Sequence, residues 1–291
     1  MADTRDDETG ETPPREGKLK TVLITGCSSG IGREAAKAFL DDDGWTVYVT
    51  ARDTDDIADL GDAGCNTAEL DVTDGDQVRQ VVERVISETG RIDVLVNNAG
   101  YGQMGPIEEV PAEVVHKQFD VNVYGPHRLT RAVLPHMRDR ERGTIVNVSS
   151  VAGRVAYPGG GVYCGSKFAL EAMSDALRAE IEPFDIDVAL VEPGPVNTSF
   201  SDTVVSRTET LERSGAYDWF YSVIEDTSLI GGGGFGAVET REVAETILEA
   251  ANSPNPKPRY PVGQFGKLSS LARIAPDPIR DALFGVARRF V

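Results

Sequence analysis

The sequence is poor in lysine, cysteine and histidine, and each scarcity excludes something. Seven lysines stand beside 22 arginines, and 47 carboxylates outnumber the 29 basic residues, leaving a net charge of −18 over 291 residues. That balance argues against nucleic acid as a partner, because a phosphate backbone needs a basic surface. It suits concentrated salt, where counterions screen self-repulsion, and salt adaptation is the expectation. Cys27, Cys65 and Cys164 form no CxxC pair. So sparse a set fits a reducing cytoplasm and no disulfide framework. His116, His127 and His136 are not at metal-ligand spacing with one another or with the cysteines, so no metal site is expected. No apolar run has the length of an integral membrane segment. Residues 1–18 are polar and acidic, with no signal-peptide core, and read as a disordered tail.

What is present is an alternation. With 40% hydrophobic residues the chain can bury a full core. Short apolar runs at LKTVLIT (19–25), WTVYVTAR (45–52), NTAELDV, IDVLVNNAG, GTIVNVSS and IDVALVEPG are separated by stretches of helical spacing. In DGDQVRQVVERVISETG, for example, Val78, Val81, Val82, Val85 and Ile86 share one face. A long helical region from Ala112 to Arg138 is interrupted near Gly125 and Pro126. Alternating strands and helices imply an α/β fold, a Rossmann-type doubly wound parallel sheet of about seven strands covered on both faces, in one domain spanning 19–291. Regularity fails over 195–236, where a substrate lid is expected. TREVAETILEAAN restores a helix with Thr240 as N-cap, PRYPVG reads as an edge strand, and 264–291 as a C-terminal helical extension packed against the lid.

Chemistry gathers at two places. TGCSSGIG (25–32) lies between a strand and a helix, where backbone N–H groups and the helix terminus can hold a pyrophosphate. Gly26 permits the sharp exit, Gly30 the close approach, and Gly32 tight helix packing. The next strand ends in Arg52, whose planar donors suit a 2′-phosphate. Ser28 and Arg33 are placed to assist, so NADP(H) is favoured over NAD(H), although Asp53 is placed to accept a ribose hydroxyl. Farther on, Tyr163 and Lys167 stand four apart on one helical face. An ammonium beside a phenol favours the phenolate, and so makes the tyrosine usable as acid or base.

These pieces resemble the short-chain dehydrogenases/reductases from about residue 19 to 200. The resemblance rests on TGCSSGIG, LDVTD at 70–74, NNAG at 97–100, Asn122 in N-V-Y-G, NVSS at 147–150, Y-C-G-S-K at 163–167 and PGPVNT at 193–198, all in the family's order. VTARD, FALEAMSDALRAEIEPF and RYPVG are similar to the 17β-hydroxysteroid dehydrogenase-like and retinol dehydrogenase-like branch.

The resemblance implies roles. Tyr163 is the expected acid/base of a carbonyl–alcohol pair, Lys167 lowers its pKa and holds the nicotinamide ribose, and Ser150 bonds the substrate oxygen. Asn122 fixes a water linking Lys167 to solvent. Gly26, Ser28, Ser29, Gly30, Ile31, Gly32 and Arg52 are expected at the phosphates and adenine ribose. Asp71 and Val72 are expected at the adenine, with Asn98, Ala99 and Gly100 along the cofactor. Pro193, Gly194, Val196 and Thr198 are expected over the nicotinamide. Each residue also has a plainer reading: Ser150 as a cap, Asn122 at a helix bend, Asp71 in a turn. The expected activity is reversible hydride transfer between NADP(H) and a small apolar carbonyl or alcohol substrate. A 3-oxoacyl-thioester reductase and a non-catalytic dinucleotide sensor are the alternatives. By analogy with relatives, a homodimer or homotetramer forms through the helix carrying Tyr163.

Overall fold

The computed structural model describes residues 19–198, 200–225, 236–266, 276–279 and 281–282. The N-terminal tail, the last part of the lid (226–235) and most of the C-terminal extension anticipated from sequence lie outside the described residues. Seven strands form one parallel sheet in the order β3-β2-β1-β4-β5-β6-β7. They are β1 (Lys20–Thr25), β2 (Trp45–Ala51), β3 (Asn66–Glu69), β4 (Val94–Asn97), β5 (Gly143–Val148), β6 (Ile186–Pro193) and β7 (Arg259–Val262). The helices between them are α1 (Gly30–Leu40), α2 (Ala58–Asp62), α3 (Gly75–Thr89), α4 (Ala112–Phe119), α5 (Gly125–Arg138) and α6 (Gly161–Ile181). After β6 come α7 (Phe200–Thr208), α8 (Asp218–Glu225) and α9 (Thr240–Asn252).

The central strands β1, β4, β5 and β6 are buried along almost their whole length and are largely apolar, because both faces are covered. Alternate side chains enter opposite layers. Val22, Ile24, Val94, Val96, Val146 and Val148 pack with Phe39 of α1 and Val243 and Ile247 of α9. Leu23, Leu95 and Ile145 face the other way, onto Val81 and Val85 of α3 and Leu129 and Val133 of α5. The strand order reverses between β1 and β4. In such sheets ligands bind at the carboxyl ends of the strands flanking that point.

Two local expectations are corrected. The break near Gly125 is a π-helical turn, Asp120–Tyr124, that joins α4 to α5 without ending the helix. Its wider ring accommodates Pro126 at the start of α5, where the missing N–H costs least. The N-cap of α9 is Glu239, and Thr240 is already helical. Helix α3 begins as capping rules require, with Asp74 accepting from the N–H groups of Asp76 and Gln77. It ends at Gly90 in the left-handed region.

Candidate active site

A cavity of about 1240 Å³ opens at the carboxyl ends of the central strands. Its floor is the turn after β1. Gly26 adopts φ +72, and a Cβ there would stand 2.7 Å from the Ala99 Cα. A Cβ on Gly32 would run into the Gly26 carbonyl oxygen and the Asn98 amide. Gly32 is therefore buried packing and does not line the cavity, which corrects its expected place as a contact. Asn98 pins the turn, donating from Nδ2 to the carbonyls of Thr25 (2.9 Å) and Gly26 (3.0 Å). The Thr25 hydroxyl accepts the N–H groups of Asn98 and Ala99, each at 3.0 Å. Ser29 caps α1 without a side-chain bond, so the first-turn donors of the helix are not taken up by their own cap. Ser28, Ser29, Gly30 and Ile31 line the cavity here. An anionic pyrophosphate fits this cradle of glycine backbone and helix N-terminus.

At one end Arg52, Asp71 and Val72 line the wall. Arg52 is exposed, whereas Asp53 accepts the N–H of Asp55 at 2.9 Å and does not face the cavity. Arg33 is also engaged elsewhere: it pairs with Asp59 and donates to the Asp56 carbonyl at 3.1 Å. A further bond to the Ser28 carbonyl at 3.4 Å ties it to the back of the glycine turn, and Arg33 itself does not line the cavity. Asp71 accepts both the N–H and the hydroxyl of Thr73 (2.8 and 2.7 Å), a turn that shapes the wall.

At the centre, Asn98, Ala99 and Gly100 follow β4, Ser150 follows β5, Pro193 ends β6, and Gly194, Val196 and Thr198 follow it. Tyr163 and Lys167 come from the first two turns of α6. Ser150 Oγ accepts the Ala152 N–H at 3.1 Å and hydrogen-bonds to Tyr163. Lys167 Nζ lies 5.9 Å from the Tyr163 ring centroid and donates to the Val148 carbonyl at 2.8 Å. Two expectations change here. Burial pushes the Tyr163 phenol up to about 12, against the lowering bond from Ser150. The same burial brings the Lys167 ammonium down to about 8, opposed by the Glu171 carboxylate. Asn122 does not line the cavity. In the π-helical turn its Oδ1 accepts the Tyr101 N–H (3.1 Å), and its Nδ2 donates to the Tyr101 carbonyl (2.9 Å) and Ser166 Oγ (3.2 Å).

The other end is aromatic. The Phe200 ring lies tilted at 56° against Tyr163 with centroids 5.6 Å apart, and Phe200, Trp219 and Phe220 line the wall with Met104, Tyr157 and Arg207. Tyr217 and Tyr221 turn away instead, donating to Glu108 (2.5 Å) and to the buried Glu109. Sequence reading did not single out Met104, Tyr157, Arg207 or Glu109. They sit in loops, in the 3-10 turn Ile107–Glu109 or on the short helix α7, where no long apolar periodicity marks a face. Cys27, Cys65 and Cys164 are buried thiols, and no cluster of metal ligands occurs among the described residues. No described helix is long and apolar enough to cross a membrane.

With this geometry in place, comparison with known proteins is informative. Residues 20–209 match the family model for short chain dehydrogenases. Human 17-beta-hydroxysteroid dehydrogenase type 1 is 38% identical over 255 residues, 82% of this chain and 76% of that protein. A solved short-chain dehydrogenase from Streptomyces avermitilis has a TM-score of 0.77 and 35% identity, covering 92% of this chain and 95% of its own. The closed form of a serine dehydrogenase complexed with NADP+ has a TM-score of 0.73 and 28% identity, covering 84% of this chain and 94% of its own.

Proposed function

The chain belongs to the short-chain dehydrogenases, oxidoreductases acting on CH–OH groups with a nicotinamide dinucleotide; from that premise we propose that it interconverts an apolar carbonyl compound and its alcohol, with NADP(H) preferred and Tyr163 as acid/base. The observation that carries this reading is the convergence of Ser150, Tyr163 and Lys167 on the cavity that the glycine turn floors. The dinucleotide, when bound, supplies or accepts the hydride. As hydride reaches a carbonyl carbon, negative charge develops on its oxygen. The Ser150 hydroxyl and the Tyr163 phenol are donors placed to meet it. A phenol held near 12 keeps its proton at neutral pH, so Tyr163 rests in the form that donates. Lys167 then holds ribose hydroxyls and, charged below about pH 8, stabilises the phenolate left after donation. Asn122 acts at one remove, fixing the Tyr101 backbone against α6 through Ser166.

Arg52 favours NADP(H), because it is exposed at the cavity wall while Asp53 is turned into a local cap. Helices α7 and α8 form the lid, and the aromatic wall sets the apolar preference. The protein is further proposed to be cytoplasmic, salt-adapted and a homodimer or homotetramer built on α6; sedimentation would decide the last point. The central test is NADPH and NADH consumption in high salt with steroid ketones, retinaldehyde, aromatic aldehydes and an acetoacetyl thioester. Tyr163→Phe should lower kcat about 10²- to 10⁴-fold, and unchanged turnover would refute the reading.

A further inference from the structure

The end of the cavity remote from the dinucleotide bears on which substrate this reductase takes, an extension that rests on the reading above. Beyond the Arg52 and Asp71 wall, no carboxylate lines the cavity among the described residues; the charged side chains there are Lys167 and Arg207. This occurs in a chain whose acids outnumber its bases 47 to 29. Arg207 is partly buried on α7, its guanidinium 4.0 Å from the Tyr101 ring centroid. Stacking of this kind holds the planar group while leaving its N–H edges able to bond. The neighbouring acid on the Tyr101 side, Asp120, is already paired with Arg128 at 2.7 Å. Asp202 and Glu209 lie exposed on the outside. Nor is Arg207 needed to hold Tyr101, whose backbone is fixed by Asn122 and by Gln118, which donates to its carbonyl at 2.8 Å. A cation at the wall of an apolar cavity is costly without an anion.

Its position on α7 sets it apart from the reacting end. Phe200 at the start of the helix packs tilted against Tyr163. Arg207 follows seven residues later, two turns on and on the same side, about 10 Å along the axis at 1.5 Å per residue. Ser201 and Thr203 line the cavity between them on α7, and Met104, Tyr157, Trp219 and Phe220 add an aromatic and apolar wall. We propose that Arg207 anchors an oxyanion, so that the substrate is an apolar carbonyl compound or alcohol bearing a carboxylate or phosphate remote from the reacting carbon.

Binding can be read without turnover. Of the two tryptophans, Trp219 lines the cavity, whereas Trp45 is buried against Phe39 with ring centroids 4.9 Å apart. Fluorescence quenching should therefore report the site. The probes are decanoate, decyl phosphate and decanol, titrated at one fixed salt concentration into the wild type, Arg207→Gln and Arg207→Lys. At least one anion should bind about tenfold or more tightly than decanol, and the better one identifies the end group. Arg207→Gln should abolish that advantage while leaving decanol unchanged, which also shows that the variant is folded; Arg207→Lys should restore part of it. Equal binding of the alcohol and both anions to the wild type, or an advantage that survives Arg207→Gln, overturns the proposal. Reduction of ω-oxodecanoate against its methyl ester separates the two readings. Turnover of both with no preference for the acid overturns the anchor and leaves the reductase standing. Arg207-dependent anion binding without reduction of either aldehyde does the reverse.

Discussion

The wall around the glycine turn and the wall around Phe200 and Trp219 meet at Tyr163, yet they are made of different materials. The first is mostly backbone. Gly26, Gly30 and the start of α1 present N–H groups, and side chains such as Asn98 and Thr25 are occupied in holding that backbone still. The second is mostly side chain: aromatic rings, Met104 and one arginine, carried by α7, α8 and loops. Even the lid aromatics divide, with Tyr217 and Tyr221 latched onto Glu108 and Glu109 while Phe200, Trp219 and Phe220 face the cavity. A backbone cradle recognises what every dinucleotide shares. A side-chain wall can be rebuilt without disturbing the sheet, and so can carry selectivity.

This contrast can be broken most severely at Gly32. Gly32→Ala drives a methyl group into the Gly26 carbonyl and the Asn98 amide. It should cost about 3 kcal/mol or more of stability and abolish dinucleotide binding, read by denaturant unfolding and NADPH titration. Tolerance of alanine there would mean the cradle is not rigid.

Where the two walls meet, Lys167 provides a pH test. Its lysine pKa falls from 10.5 to about 8 in the fold. Between those values the unfolded chain keeps a proton that the folded chain has lost, so this residue makes stability rise with pH through that window. At 1.36 kcal/mol per factor of ten the gain is about 3 kcal/mol. Unfolding free energies of the wild type and Lys167→Met, followed from pH 7.5 to 10.5 (~1 unit steps), should therefore diverge in favour of the wild type. Parallel curves would mean that the ammonium is not desolvated.

Within the backbone-built wall, Arg52 is the side-chain exception. Arg52→Gln should lower the NADPH-to-NADH ratio of kcat/KM about tenfold or more, the scale of one charge-assisted bond. An unchanged ratio would return the choice of dinucleotide to other groups. The smallest expected effect belongs to neither wall. With a net charge of −18 the melting temperature should climb by about 5 °C or more between low and molar salt as self-repulsion is screened, and indifference to salt would count against salt adaptation.

Much of the backbone-built wall was legible beforehand. Strand–turn–helix order, the glycines and the strand ends are local features, and local features leave local patterns. The exceptions there involve partners distant in sequence. Nothing near Asp53 announces that Arg52, not it, faces the cavity, and Arg33 is drawn off by Asp59, twenty-six residues away. The side-chain wall was legible only as a region. The aromatics of 200–221 were visible, but which of them face inward depends on Glu108 and Glu109, about a hundred residues earlier.

The sequence alone determined the alternation that makes a doubly wound sheet, because apolar runs and helical periodicity act over neighbouring residues. It also determined the placement of Tyr163 and Lys167 on one helical face, because four residues is little more than one turn. Tertiary structure decided everything that depends on burial and on long-range partners. The Tyr163 phenol is pushed up and the Lys167 ammonium down, because both are removed from water. Asn122 is consumed by the Tyr101 backbone inside a π-helical turn, and Arg207 stands against Tyr101 at an end of the cavity where no carboxylate lines the wall among the described residues. Charge in a cavity depends on what the fold brings around it, and a one-dimensional pattern contains only the neighbours along the chain.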